Sequence, residues 1–127
     1  YDNTVNYREE SAPCRTFVFL HEIELLLKLG LIKGGSVESA MVVVEKPISE
    51  STRKRICKTF GRDDIEVEKG YLTHAPLRFE NEIARHKLLD ILGDLALLGR
   101  RIKGHVEALR PGHYANTQMA QQLEKKL

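Results

Sequence analysis

Tryptophan is absent from this 127-residue sequence, aromatic residues make up only 6% of it, and cysteine and methionine occur twice each. Two cysteines cannot staple a secreted disulfide scaffold. Cys14 and Cys57 form no CxxC pair either, so both read as reduced thiols of a reducing compartment. No apolar run approaches the roughly 20 residues of a membrane span, and no signal peptide is visible. Charge of one sign is missing too: 20 Lys and Arg face 18 Asp and Glu, a net +2 mixed along the chain. That balance offers no electrostatic footprint for nucleic acid or a membrane surface. What remains, 42% hydrophobic and 30% charged, is ordinary globular material sized for a single domain, or part of one, spanning 1–127. The sequence begins at Tyr1 rather than methionine, which suggests a fragment. The expectation is a soluble, cytoplasmic protein.

The chain reads as helices mixed with short strands and no repeated βαβ rhythm, hence an α+β sandwich. A short strand is expected around Thr4–Tyr7. Pro13 marks a break. From Thr16, placed as a cap, Phe19, Leu20, Ile23, Leu26 and Leu27 recur at helical spacing, with Gly30 as the stop. Gly34-Gly35-Ser36 reads as a turn, and Met41 to Val44 as a β-branched strand. A basic helix is expected from Ser49 to Phe60, closed by Gly61. Ile65 to Glu68 alternates like a half-buried strand, and Gly70 to Pro76 reads as loop. A main helix over roughly 80–98 ends at Gly99. Ile102 to Leu109 has β character, Arg110 to His113 is a turn, and 114–126 is helical.

The chemistry concentrates on the main helix. Successive helical residues turn by about 100°, so His86, Asp90 and Asp94 lie in one narrow stripe. Around them Leu88, Leu89, Ile91, Leu92 and Leu95 leave little of the helix suited to water. Buried polar groups need partners, and a metal ion accepts both imidazole and carboxylate. A simple hydrogen-bonded pair explains such spacing more often. Asp94 adds a carboxylate of the kind that orients an imidazole.

His113 follows Pro111-Gly112, a rigid turn that could aim its imidazole at a fixed point for proton exchange; capping or solvation is the ordinary alternative. Thr16 is by default a helix cap, but its hydroxyl could also donate to a developing oxyanion. Leu20, Ile23, Ile32, Ala40 and Val42 are core or channel lining, and composition does not separate the two. His21, His74 and His105 fit no pattern and read as structural or surface residues. Lys87 and the basic helix read as solvated.

Several longer motifs occur together. Arg15-Thr16-Phe17, Phe19-Leu20-His21-Glu22-Ile23-Glu24 and Gly34-Gly35-Ser36 are followed by Leu77-Arg78-Phe79-Glu80-Asn81-Glu82. Then come Arg85-His86-Lys87-Leu88-Leu89-Asp90, Gly93-Asp94-Leu95 and Pro111-Gly112-His113. In this order, across most of residues 14–120, they resemble the bacterial UDP-3-O-acyl-N-acetylglucosamine deacetylases of lipid A biosynthesis.

The resemblance implies a zinc amidase, with ferrous iron as the alternative metal in the cell, built from two similar α+β domains. This chain resembles the second (C-terminal) domain, a two-layer α/β sandwich with a β-α-β insertion. By the resemblance His86 and Asp90 are metal ligands, and His113 protonates the leaving amine. Asp94 orients His113, and Thr16 stands beside the oxyanion. Lys87 and Phe17 contact the UDP-sugar lipid substrate. Leu20, Ile23, Ile32, Ser36, Ala40 and Val42 fall in the insertion that forms the acyl-chain passage, which tilts some of them from core toward channel.

Two departures stand out. The family draws its third metal-binding histidine and its general-base glutamate from the first domain, and these 127 residues contain no matching Glu-His segment. The chain alone is therefore expected to bind metal weakly and to be inactive. Residues 46–76 also form an extended insertion relative to the shortest members. Some members continue into a fused hydroxyacyl-carrier-protein dehydratase, and the polar helix ending at Leu127 is suited to precede one. The rival reading is a non-catalytic α+β interaction module in which the His/Asp stripe is a buried hydrogen-bond network.

Overall fold

The computed structural model describes residues 6–28 and 39–126, without the side chains of 24 and 26–28. The chain divides into two compact units. One runs from Arg15 to Glu80; the other joins the stretch up to Cys14 with the stretch from Asn81 onward.

In the Arg15–Glu80 unit, strand β1 (Thr16–Phe19) leads directly into helix α2 (Leu20–Lys28), and strand β2 (Ala40–Val43) follows. β1 and β2 pair in parallel, Thr16 opposite Ala40 and Phe19 opposite Val43, so β1, α2 and β2 make a β-α-β unit. Helix α3 (Glu50–Phe60) comes next, then β3 (Val67–Glu68) and β4 (Tyr71–Leu72). The sheet is mixed, in the order β1-β2-β4-β3, with β4 antiparallel to both of its neighbours. The architecture is α+β, as the sequence indicates.

Helix α3 has the boundaries its sequence signals. Ser49 is the N-cap, its hydroxyl accepting from the Thr52 amide at 3.2 Å. Gly61 ends the helix at φ +65°, a left-handed conformation that a side chain would strain. Ile56 and Cys57 turn inward and share one core with Leu20, Ile23, Val42, Val44, Ile65 and Leu72. Ile65 is completely buried. The stretch 46–76 is thus built into the core of its unit. Arg53 ties the same stretch together, bonding Glu50 at 2.9 and 3.0 Å and Glu66 at 3.2 Å.

In the other unit, α1 (Tyr7–Glu10), α4 (Glu82–Ala96) and α5 (His113–Glu124) are the regular elements, and α4 packs against α5. Arg85 at the start of α4 bonds Asn81 Oδ1 at 2.7 Å and the Glu10 carbonyl at 2.9 Å, and pairs with the Glu10 carboxylate.

Several expectations need correction. Thr16 begins a strand rather than capping a helix. Thr-Phe-Val-Phe is a β-branched and aromatic run that pairs along β2, and helical spacing takes over only at Leu20. Tyr7 begins helix α1 instead of ending a strand; Asn6 caps it, accepting from the Arg8 amide at 3.1 Å. Within the loop expected from 70 to 76, Tyr71–Leu72 is a strand. Lys69 and Gly70, at φ 50° and 83°, form a tight two-residue turn that returns the chain along β3. The 65–68 strand shortens to Val67–Glu68, both exposed, while Ile65 goes inward. Residues 102–109 form no strand, because no other segment among the described residues pairs with them. Thr4, Gly30 and the Gly34-Gly35-Ser36 turn lie outside the described residues.

Candidate active site

Helix α4 carries His86, Lys87, Asp90 and Asp94, and α5 opens on His113 just after the extended Gly112. The stripe expected from helical spacing is present. His86 Nε2 lies 3.2 Å from Asp90 Oδ1, and the two side chains are only 15% and 9% exposed. Asp90 divides its oxygens: Oδ2 accepts from Lys87 Nζ at 3.0 Å, which leaves Oδ1 to the histidine side.

His113 completes the group from α5. Its Nδ1 lies 2.9 and 3.1 Å from the two oxygens of Asp94, which accept, so the ring proton belongs on Nδ1. Its Nε2 then faces Asp90 Oδ1 at 3.9 Å. Two imidazole Nε2 atoms therefore converge on one carboxylate oxygen, and a second carboxylate backs one of them. The imidazole of His113 is 70% exposed, so substrate could reach it.

The donor set suits a divalent ion. Two ligands, each about 2.0–2.1 Å from a tetrahedral zinc, sit about 3.3 Å apart. The His86–Asp90 separation of 3.2 Å matches that bite without rearrangement of the helix. Among the described residues, no group of three His, Cys, Asp or Glu is placed to hold an ion together. His86 and Asp90 thus fit part of a coordination sphere.

The remaining residues singled out in the sequence fall in the Arg15–Glu80 unit. Thr16 is exposed at the start of β1, with Phe17 half-buried beside it. Leu20, Ile23 and Val42 belong to the core cluster, and Ala40 is half-buried at the start of β2. Ile32 and Ser36 lie outside the described residues. The other histidines behave as structural or surface groups. His74 is buried, with Nε2 3.0 Å from the Ala40 carbonyl and its ring stacked on Phe60. His21 and His105 are exposed beside Glu45 and Glu107. Cys14 and Cys57 are buried and form no disulfide.

One residue escaped the sequence reading. Asn116, one turn beyond His113, donates from Nδ2 to Asp94 Oδ2 at 2.9 Å. Its i+3 spacing from His113 was the available signal.

A family model described as UDP-3-O-acyl N-acetylglycosamine deacetylase matches residues 2–63 and 64–125. The chain belongs to this deacetylase family. The bifunctional enzyme LpxC/FabZ of Bacteroides thetaiotaomicron is 46% identical over 96% of the chain, and its namesake in Chlorobaculum tepidum is 42% identical over 98%. The UDP-3-O-acyl-N-acetylglucosamine deacetylase of Syntrophotalea carbinolica is 40% identical over 95%. The chain spans only 27%, 27% and 32% of these three relatives' own lengths.

Proposed function

We propose that this chain supplies the metal-holding and proton-donating part of an active site that removes the N-acetyl group from UDP-3-O-acyl-N-acetylglucosamine, in lipid A and hence lipopolysaccharide biosynthesis. The observation that carries the reading is the convergence of His86, Asp90 and His113, with Asp94 behind His113, in a chain of this deacetylase family.

In this reading His86 and Asp90 hold zinc, or ferrous iron in the cell, together with a third ligand from the first of two domains. When bound, the ion supplies Lewis acidity toward the attacking water and the acetamide carbonyl. Lys87 restrains Asp90 through Oδ2 and so keeps Oδ1 turned to the ion. The hydroxyl of Thr16 donates to the carbonyl oxygen as that atom gains negative charge. His113, protonated at Nε2, delivers its proton to the amide nitrogen as the C–N bond breaks, so the sugar leaves as an amine rather than an amide anion. Asp94 holds the ring through Nδ1 and stabilises the imidazolium before transfer.

Phe17 and Lys87 contact the substrate, and Leu20, Ile23, Ile32, Ser36, Ala40 and Val42 contribute to the acyl passage. Leu20, Ile23 and Val42 are themselves buried in the core of their unit. The bifunctional names of the first relatives support a fused dehydratase as a companion domain. In this reading the enzyme works in the cytoplasm. Separately, no described helix is long and apolar enough to cross a membrane.

A protein of the relatives' full length carrying this sequence should release acetate from the UDP-sugar lipid, and His113→Ala should abolish most of that release. Undiminished release by the variant would contradict the reading. These 127 residues alone, with two metal ligands where a catalytic zinc has three, should show weak metal affinity and no turnover.

A further inference from the structure

We propose that Asn116 is a positioning residue for the proton donor, an inference that rests on the reading of His113 and Asp94 given above. Asn116 is buried, 8% exposed, and follows His113 by one turn on α5, so both project from the same helix face. Its Nδ2 donates at 2.9 Å to Asp94 Oδ2, the same oxygen that lies 2.9 Å from His113 Nδ1. An amide oxygen turned to a carboxylate would be repelled, so the nitrogen is the atom that faces Asp94.

The terminal torsion of an aspartate is soft, and one donor fixes an oxygen without fixing the carboxylate plane. A second donor from the next turn fixes the plane. The His113 ring is 70% exposed in this chain, and its bond to Asp94 is the contact that orients it. The half-buried Asp94, held by the buried Asn116, is then the reference against which the imidazole is set. A neutral amide does this without adding charge, and it leaves Asp94 an acceptor toward His113. Nδ1–H is thereby enforced, and Nε2 stays directed at Asp90 Oδ1.

The test is a double-mutant cycle in the full-length zinc-loaded protein, with kcat and KM read separately and zinc per chain measured. Asn116→Leu should lower kcat about tenfold at unchanged KM and unchanged zinc. In the Asp94→Ala background the same substitution should cost nothing further, because its only route to His113 is already gone. In metal-free protein, the imidazole nitrogen resonances of His113 should move away from the Nδ1–H tautomer in Asn116→Leu. If Asn116→Leu does not fold, Asn116→Ala is read in the same cycle. Wild-type kcat in the single variant, or an equal loss in both backgrounds, overturns the inference while the roles of His113 and Asp94 stand. Wild-type kcat in His113→Ala and Asp94→Ala overturns those roles and the inference with them.

Discussion

Asp94 on α4 and His113 on α5 meet at 2.9 Å, carboxylate oxygen to Nδ1, although 19 residues separate them. The contact sets the tautomer and leaves Nε2 as the one nitrogen able to give or take a proton on the side of His86 and Asp90. A general acid, the role proposed for His113, contributes about 10²–10⁴-fold to a rate. His113→Ala should therefore lower kcat by about that range with little change in KM. Asp94→Ala should cost less, about 10–100-fold, since it acts through His113. Steady-state kinetics of acetate release check both, and a rise in KM at constant kcat would contradict the roles.

Lys87 is expected to serve two purposes, through Asp90 Oδ2 at 3.0 Å and toward substrate. Lys87→Met keeps the aliphatic stem and removes the donor. It should loosen zinc about tenfold in competition with a chelator and raise KM more than it lowers kcat. Unaltered zinc affinity would separate Lys87 from the metal site.

Ile65 is completely buried in the core that joins the 46–76 stretch to β2 and α2. Ile65→Ala should destabilise this unit by about 2–5 kcal/mol. Loss of the Ser49 cap in Ser49→Ala should cost about 1 kcal/mol. Gly61 has open space around the position of an added Cβ, so Gly61→Ala would meet backbone strain at φ +65° rather than a clash, again about 1 kcal/mol. Urea unfolding of the three variants checks the ranking. A negligible effect of Ile65→Ala would mean that the 46–76 stretch is not part of the core.

Two exposed carboxylates give the same stretch an acid-side dependence. The hydrogen bond from Arg53 holds Glu50 below its ordinary 4.5, and that from Arg62 holds Asp64 below its ordinary 3.8. Folded values below unfolded ones mean that the stabilisation is complete above the ordinary value and lost as pH falls through the folded one. The difference in melting temperature between wild type and Glu50→Gln should be constant near neutrality and shrink below pH 4.5. Because both groups are exposed, added salt should shrink it as well. A difference that grew on acidification would have the wrong sign.

Helices were legible where local signals agreed. Ser49 and Gly61 bracket α3, and the apolar spacing of 83–98 marks α4 to within two residues at its C-terminal end. The strands were less legible because pairing decides them. Thr16 to Phe19 carries strand-forming residues, but the helical rhythm of Leu20 and Ile23 extended over them until β2 was in place. Ile102 to Leu109 shows the converse, strand-like composition with no ladder to join. The turn at Lys69-Gly70 was missed because lysine seldom adopts positive φ. At the site, i, i+4 and i+8 spacing brought out His86, Asp90 and Asp94, since all three share one helix. The link from Asp94 to His113 and Asn116 depends on how α4 packs on α5; the family resemblance implied it for His113, and for Asn116 the one signal was its spacing from His113.

Zinc content tests the central claim most directly. In the full-length protein, His86→Ala should still fold, lose its zinc and lose acetate release. Full zinc occupancy and undiminished release in that variant would contradict the account, and would leave His86 and Asp90 as a hydrogen-bonded pair on a helix.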